Sequence, residues 1–61
     1  MSAENEAYAE GARLLRELSA LRNDILNINA SDTACKERAL QLIEQSRDRL
    51  RQALTELSGL V

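Results

Sequence analysis

The sequence contains no histidine, proline, phenylalanine or tryptophan, one cysteine (Cys35) and one aromatic residue (Tyr8). A single cysteine excludes a disulfide within the chain, and without histidine it disfavours a structural zinc site. The shortage of strand-favouring residues leaves no signal for a β-rich fold. The shortage of aromatic residues also weighs against binding of single-stranded RNA, which depends largely on stacking of bases.

Motifs of catalysis are absent as well. The sequence has no nucleophile-elbow motif and no glycine-rich phosphate loop. Carboxylates such as Glu44 and Asp48 stand close to arginines, a pattern typical of solvent-exposed ion pairs on helices. We therefore expect a protein that is not an enzyme, with no catalytic residue, no cofactor and no bound metal.

The charge balance is slightly acidic, with a formal net charge of −2 and a pI near 5.0. This balance argues against a general binder of nucleic acid or of membrane surfaces, because such proteins are normally basic. Residues 1–6 are acidic and polar, unlike a signal peptide, and no apolar run approaches the length of a membrane span. Together with the free thiol, these features predict a cytoplasmic location.

Apolar residues recur at alternating spacings of four and three, which keeps one stripe of a helix turned towards a partner helix. The first series is Leu14, Leu18, Leu21, Ile25 and Ile28. The second series, after a short polar break, is Ala39, Ile43, Ser46, Leu50, Ala53, Leu57 and Leu60. The pattern predicts an all-α fold, a single domain over residues 1–61 with helices over about 3–28 and about 32–58 and a turn at about 29–31.

A connection this short makes the two helices antiparallel neighbours. Ser2 is the predicted N-cap of the first helix, and Asn29 and Gly59 are predicted to end the helices in the left-handed conformation. Folding the chain about residue 30 places Gly11 opposite Leu50. The sequence thus predicts an antiparallel helical hairpin with a defined register.

Further apolar residues flank both series: Leu15, Leu26, Leu40, Leu42, Leu54 and Val61. Stripes of this width exceed the two positions in seven of a simple coiled coil, and a lone pair of helices would leave a large apolar patch in water. We therefore expect two hairpins to pair into a homodimeric four-helix bundle. A heterodimer with another helical protein would cover the patch equally well. The predicted core and dimer residues are Leu14, Leu18, Leu21, Ile25, Ile43, Leu50 and Leu57.

These features favour a non-catalytic function in which the chain binds a larger protein, as a small adaptor, chaperone or inhibitor. Its size and acidity suit a bacterial or phage regulator. The predicted partner-binding surface combines flanking apolar residues with arginines: Tyr8, Leu15, Arg22, Leu26, Arg47 and Arg51.

Two alternatives remain open. The layout of short helical hairpins that dimerise resembles the Rop family of plasmid copy-number regulators, and this resemblance implies binding to paired RNA loops. The chain is otherwise expected to be a small subunit of a larger helical hetero-complex. In that case its wide apolar stripe would be buried against other proteins.

Overall fold

The computed structural model describes residues 2–29 and 31–60, which form two α-helices. Helix α1 spans Ala3–Leu26 and helix α2 spans Thr33–Ser58, and the two pack against each other as a hairpin. The predicted two-helix hairpin is therefore confirmed, whereas its dimerisation stays a prediction. The middle of the predicted turn, Ala30, and the predicted flanking residue Val61 lie outside the described residues.

Both helices begin at a side-chain cap. The backbone N–H of Asn5 donates to Ser2 Oγ at 3.1 Å, and the backbone N–H of Cys35 donates to Asp32 Oδ1 at 3.1 Å. Each cap satisfies one of the backbone donors that the first turn of a helix leaves unpaired. The N-cap predicted at Ser2 is confirmed.

The helices end differently from the prediction. No described residue has a positive φ, and Gly59 lies in the right-handed region with φ −73°, so termination in the left-handed conformation is wrong. Instead, the last turns tighten into i→i+3 hydrogen bonds, from Ile28 N to Ile25 O at 3.1 Å and from Leu60 N to Leu57 O at 2.9 Å. These bonds satisfy carbonyls that the helix leaves without partners, and no left-handed residue is then needed.

Lys36 of α2 also closes the end of α1. Its ammonium group donates to the carbonyl oxygens of Leu26 at 3.0 Å and Ile28 at 2.9 Å. A cation at this position is favoured because the terminal carbonyls carry the negative end of the helix dipole. The connection therefore runs beside the first turn of α2 and is fixed there by this one side chain.

The two helices are closest where Gly11 meets Leu54. Gly11 is buried, and Leu54 is the one buried apolar side chain among residues 2–29 and 31–60, at 8% exposure. A Cβ atom added to Gly11 would lie 2.6 Å from Leu54 Cδ2 and 3.8 Å from Leu50 Cδ1. Leu54 therefore lies nearer to Gly11 than the predicted partner Leu50 does. Leu54 is one helical turn beyond Leu50 along α2. The pairing of the helices shifts by one turn because α1 ends two residues before its predicted end, and the connection then continues beside the first turn of α2.

We call the line of contact between the helices the seam. Its half-buried residues again alternate by three and four, and they are Leu15, Leu18, Arg22 and Ile25 on α1, with Leu40, Ile43, Arg47, Leu50 and Leu57 on α2. Ser46 and Ala53, two members of the predicted second series, are exposed. Their neighbours Arg47 and Leu54 take the inward positions, while Ile43, Leu50 and Leu57 stay in the seam, so α2 is rotated by about half a residue position relative to the prediction.

Replacing Gly11 with Leu is expected to reduce the free energy of unfolding by about 1–3 kcal/mol, because the added side chain overlaps Leu54. Chemical denaturation followed by circular dichroism measures the change. Combining Gly11→Leu with Leu54→Ala should recover more stability than combining it with Leu50→Ala. Better recovery with Leu50→Ala would show that the register is the one predicted from the sequence.

Candidate interaction surfaces

One broad side of the hairpin exposes a row of large apolar side chains. Leu14, Leu21 and Ile28 are 41%, 44% and 52% exposed, and their spacing of seven places them on one stripe. Ile28 lines a cleft together with Ala39 and Cys35 of α2, so this stripe and the Ala39 side of α2 face the same way. We call this surface the apolar face.

On α2, Ala39, Ser46, Ala53 and Leu60 lie on the apolar face at a spacing of seven, and Leu42, Arg49 and Glu56 follow its outer edge at the same spacing. Leu42 is 62% exposed and Leu60 is 69% exposed. The predicted core and dimer residues are therefore divided between two places. Leu14 and Leu21 lie on the apolar face, whereas Leu18, Ile25, Ile43, Leu50 and Leu57 are half-buried along the seam.

The dimensions of the hairpin explain why this surface stays exposed. The hairpin measures 48 × 16 × 10 Å, which is a single layer of two helices. Its accessible surface is 4651 Å², whereas a compact monomer of 6.8 kDa has roughly 4,000 Å². Each chain thus exposes an excess of roughly 650 Å², and covering it on two chains would form an interface of roughly 1,300 Å², within the range of specific protein interfaces.

The opposite side, which we call the polar face, carries three of the six predicted partner-binding residues. Tyr8 and Leu15 of α1 line a shallow cleft with Arg51, Thr55 and Ser58 of α2. The structure therefore brings Tyr8, Leu15 and Arg51 together. Leu15 is half-buried, which leaves Tyr8 and Arg51 as the more accessible members of this group.

Leu26, Arg22 and Arg47 lie elsewhere along the same helices. Leu26 is 44% exposed at the end of α1, about 27 Å from Tyr8 along the helix. Arg22 lines a second cleft with Leu40 and Glu44. The six predicted residues therefore do not form one continuous patch.

Three charged residues form the most buried polar group of the hairpin. Arg22 of α1 forms an ion pair with Glu44 of α2, and Arg47 Nη1 also donates to Glu44 Oε1 at 3.2 Å. The Arg47 side chain is only 18% exposed, compared with 53% for Arg51. Its Nε atom is buried without a hydrogen-bond partner, which costs free energy because the group has lost its water.

Arg47 is predicted from the sequence to lie on an outer surface, although its spacing carries a signal for burial. Arg47 lies four residues after Ile43 and three before Leu50, which is the spacing of the seam itself. An arginine at such a position keeps its methylene groups among apolar neighbours and extends its charged end outwards. We therefore place Arg47 in the seam and not among the residues that are free to contact a partner.

Two of the other arginines, Arg13 and Arg51, are also paired with carboxylates. Arg13 pairs with Glu10 and, at 2.7 Å, with Glu17. The hydrogen bond from Arg13 to Glu10 is the main cause of the raised pKa of Arg13, followed by the charges of both carboxylates. Arg51 Nη1 lies 3.4 Å from Asp48 Oδ1. These exposed pairs contribute little to stability, but they reduce the positive potential available to an RNA phosphate.

Cys35 takes part in the cap of α2. Its thiol donates to Asp32 Oδ2 at 3.1 Å, and Arg38 Nη2 donates to its sulfur at 3.2 Å. The thiol hydrogen bond is the main cause of the lowered pKa of Asp32, with the backbone N–H of Cys35 adding to it. The thiol is exposed, so the position is open to labelling reagents.

Comparison with known proteins adds no assignment: the chain matches no protein-family model, no curated protein and no solved structure. The described part of the chain holds no group of three or more metal-ligating side chains. Neither α1 nor α2 has the length and apolar character that a membrane span requires. The apolar face and the polar face themselves are therefore the basis for an inference about function.

Replacing Arg47 with Met is expected to raise the free energy of unfolding by about 1 kcal/mol, since it removes the unpaired buried Nε and keeps the apolar stem. Arg51→Met is the matched control, because Arg51 is exposed and should change stability by less than about 0.5 kcal/mol. Thermal and urea unfolding measure both variants. A loss of more than about 1 kcal/mol in Arg47→Met would mean that its ion pair with Glu44 stabilises the seam.

Proposed function

We propose that the chain is a non-catalytic protein-binding module that acts as a helical-hairpin homodimer. The observation that carries this proposal is the apolar face, on which Leu14, Leu21, Ile28 and Leu42 are all more than two-fifths exposed. Single exposed leucines are ordinary, but a row of three large apolar residues along α1 with Leu42 of α2 on the same side marks an interaction surface. The first surface to be covered is therefore the apolar face, and its partner is a second copy.

Dimerisation leaves the polar face outside, and this face is the proposed contact with a larger protein. Tyr8 is 41% exposed beside the apolar Leu15 and the cationic Arg51. Tyrosine and arginine are the residues most often found to dominate binding energy at protein interfaces. A target with an acidic or hydroxyl-rich surface suits this cleft. Such a module would act as an adaptor or as an inhibitor by covering a site on its target.

The two alternative functions, RNA binding and a role as a subunit of a hetero-complex, would use these surfaces differently. RNA binding needs several cations directed at phosphates, whereas Arg13, Arg22, Arg47 and Arg51 are each bonded to a carboxylate. A role as one subunit of a hetero-complex would use the apolar face for a different helical protein. In that case the isolated chain would be mostly unfolded or aggregated.

Replacing Leu21 with Glu is expected to weaken dimerisation by at least about 100-fold, because one charged residue is brought into the interface on each chain. The matched control is Ala20→Glu, which adds the same charge at the adjacent exposed position outside the apolar face. Size-exclusion chromatography with light scattering measures the mass of each variant.

We expect a dimer for the natural chain and for Ala20→Glu, and a monomer for Leu21→Glu at micromolar concentration. A monomeric natural chain would contradict the proposal. So would equal masses for the two variants, because the apolar face would then not be the interface.

A further inference from the structure

We infer that, in the homodimer, α1 of each chain lies beside α2 of its partner, with both interhelical connections at the same end of the bundle. This inference rests on the proposed homodimer and specifies its symmetry. It follows from the charged residues at the two edges of the apolar face. The twofold axis then runs along the length of the hairpin.

The α1 edge of the apolar face is acidic. Glu10, Glu17 and Asp24 are spaced by seven, and each lies four residues before an apolar residue of the face: Leu14, Leu21 and Ile28. Residues four apart are neighbours on a helix surface. The three carboxylates therefore line the outer edge of the apolar face along α1, and all three residues are exposed.

The α2 edge of the apolar face is mixed. Leu42, Arg49 and Glu56 follow one another along it at a spacing of seven, and Arg38 lies four residues before Leu42. Arg49 is exposed and forms no ion pair with any described residue. This edge therefore offers one cation, Arg49, that has no carboxylate partner among the described residues.

Two hairpins can place their apolar faces together by twofold symmetry in only two ways. An axis along the bundle sets α1 beside the partner's α2 and keeps both connections at one end. An axis across the bundle sets α1 beside the partner's α1, with the connections at opposite ends. The second arrangement would align the row Glu10, Glu17 and Asp24 with the same row of the other chain, and neighbouring like charges are unfavourable.

In the first arrangement the register of the hairpin brings one of the three carboxylates, Glu17, level with an opposite charge. Gly11 is level with Leu54 and Arg22 is level with Glu44, so Glu17, midway between Gly11 and Arg22, is level with Arg49. A twofold axis along the bundle leaves the position of each residue along the bundle unchanged. Glu17 of each copy then lies beside Arg49 of the other copy, which gives two such pairs per dimer. Glu56 comes level with Glu10, an unfavourable pair that Arg13 moderates because it already bonds to Glu10.

Cys35 provides a direct test, because it is the single cysteine and lies near one end of α2. A nitroxide label on Cys35 of the intact chain reports the distance between the two copies by electron paramagnetic resonance. Connections at the same end predict backbone positions about 11–14 Å apart, the diagonal of a bundle with helices 8–10 Å apart. Connections at opposite ends predict about 35 Å, from the rise of about 1.5 Å per residue along α2.

A labelled Ala20→Cys, Cys35→Ser variant is the matched control. Ala20 lies near the middle of the hairpin's length, so both arrangements give a short distance there. Light scattering of each labelled chain establishes that it is dimeric, which is needed for the label on Cys35 because Cys35 lines the same cleft as Ile28 and Ala39. A short distance at both positions supports the inference. A short distance at residue 20 with about 35 Å at residue 35 overturns the inference and leaves the homodimer intact. Absence of any dimer overturns both.

Charge reversal gives an independent readout. Arg49→Glu and Glu17→Arg should each weaken dimerisation by about 3- to 10-fold, and the double variant should regain most of the affinity. Sedimentation equilibrium measures the dissociation constants. Tighter dimerisation of Glu17→Arg alone would overturn the inference, because it would mean that the acidic rows of the two α1 helices face each other.

Discussion

Two helices touch along one line only, and this chain carries more apolar surface than one line of contact can bury. At the seam, Leu54 is packed tightly against the bare backbone of Gly11. Elsewhere along the seam the side chains are half-buried, and Leu14, Leu21 and Leu42 extend into solvent. Every functional inference about the molecule depends on this mismatch between apolar surface and available contact.

Polar residues determine the register of the hairpin more than they add to its free energy of unfolding. Lys36 fixes the end of α1 against the start of α2, and Glu44 joins Arg22 of the facing helix to Arg47 of its own. Such contacts add little net stability, because charged groups lose hydration when they are buried. Their geometric demands are nevertheless specific. They favour one register among the several that a wide apolar stripe permits.

The spacing of apolar residues was sufficient to predict two helices, the short connection predicted their antiparallel packing, and the residue type of Ser2 predicted the first N-cap. It was not sufficient for the seam, because a stripe that is apolar over four or five positions in seven fits several rotations of each helix. Contacts outside the apolar pattern decide among these rotations. The Cβ-free surface of Gly11 accepts Leu54, and Arg47 reaches Glu44 from an inward position. The width of the apolar stripe already implied an exposed apolar row. That the six predicted partner-binding residues lie apart from one another could be seen only in the structure.

The most direct test of the central claim is the dependence of thermal unfolding on concentration for the unmodified chain. If a second copy covers the apolar face, folding is coupled to association. The midpoint temperature should then rise by about 10 °C over a 100-fold increase in concentration. A midpoint that stays constant over this range, with a mass of 6.8 kDa throughout, would contradict the account.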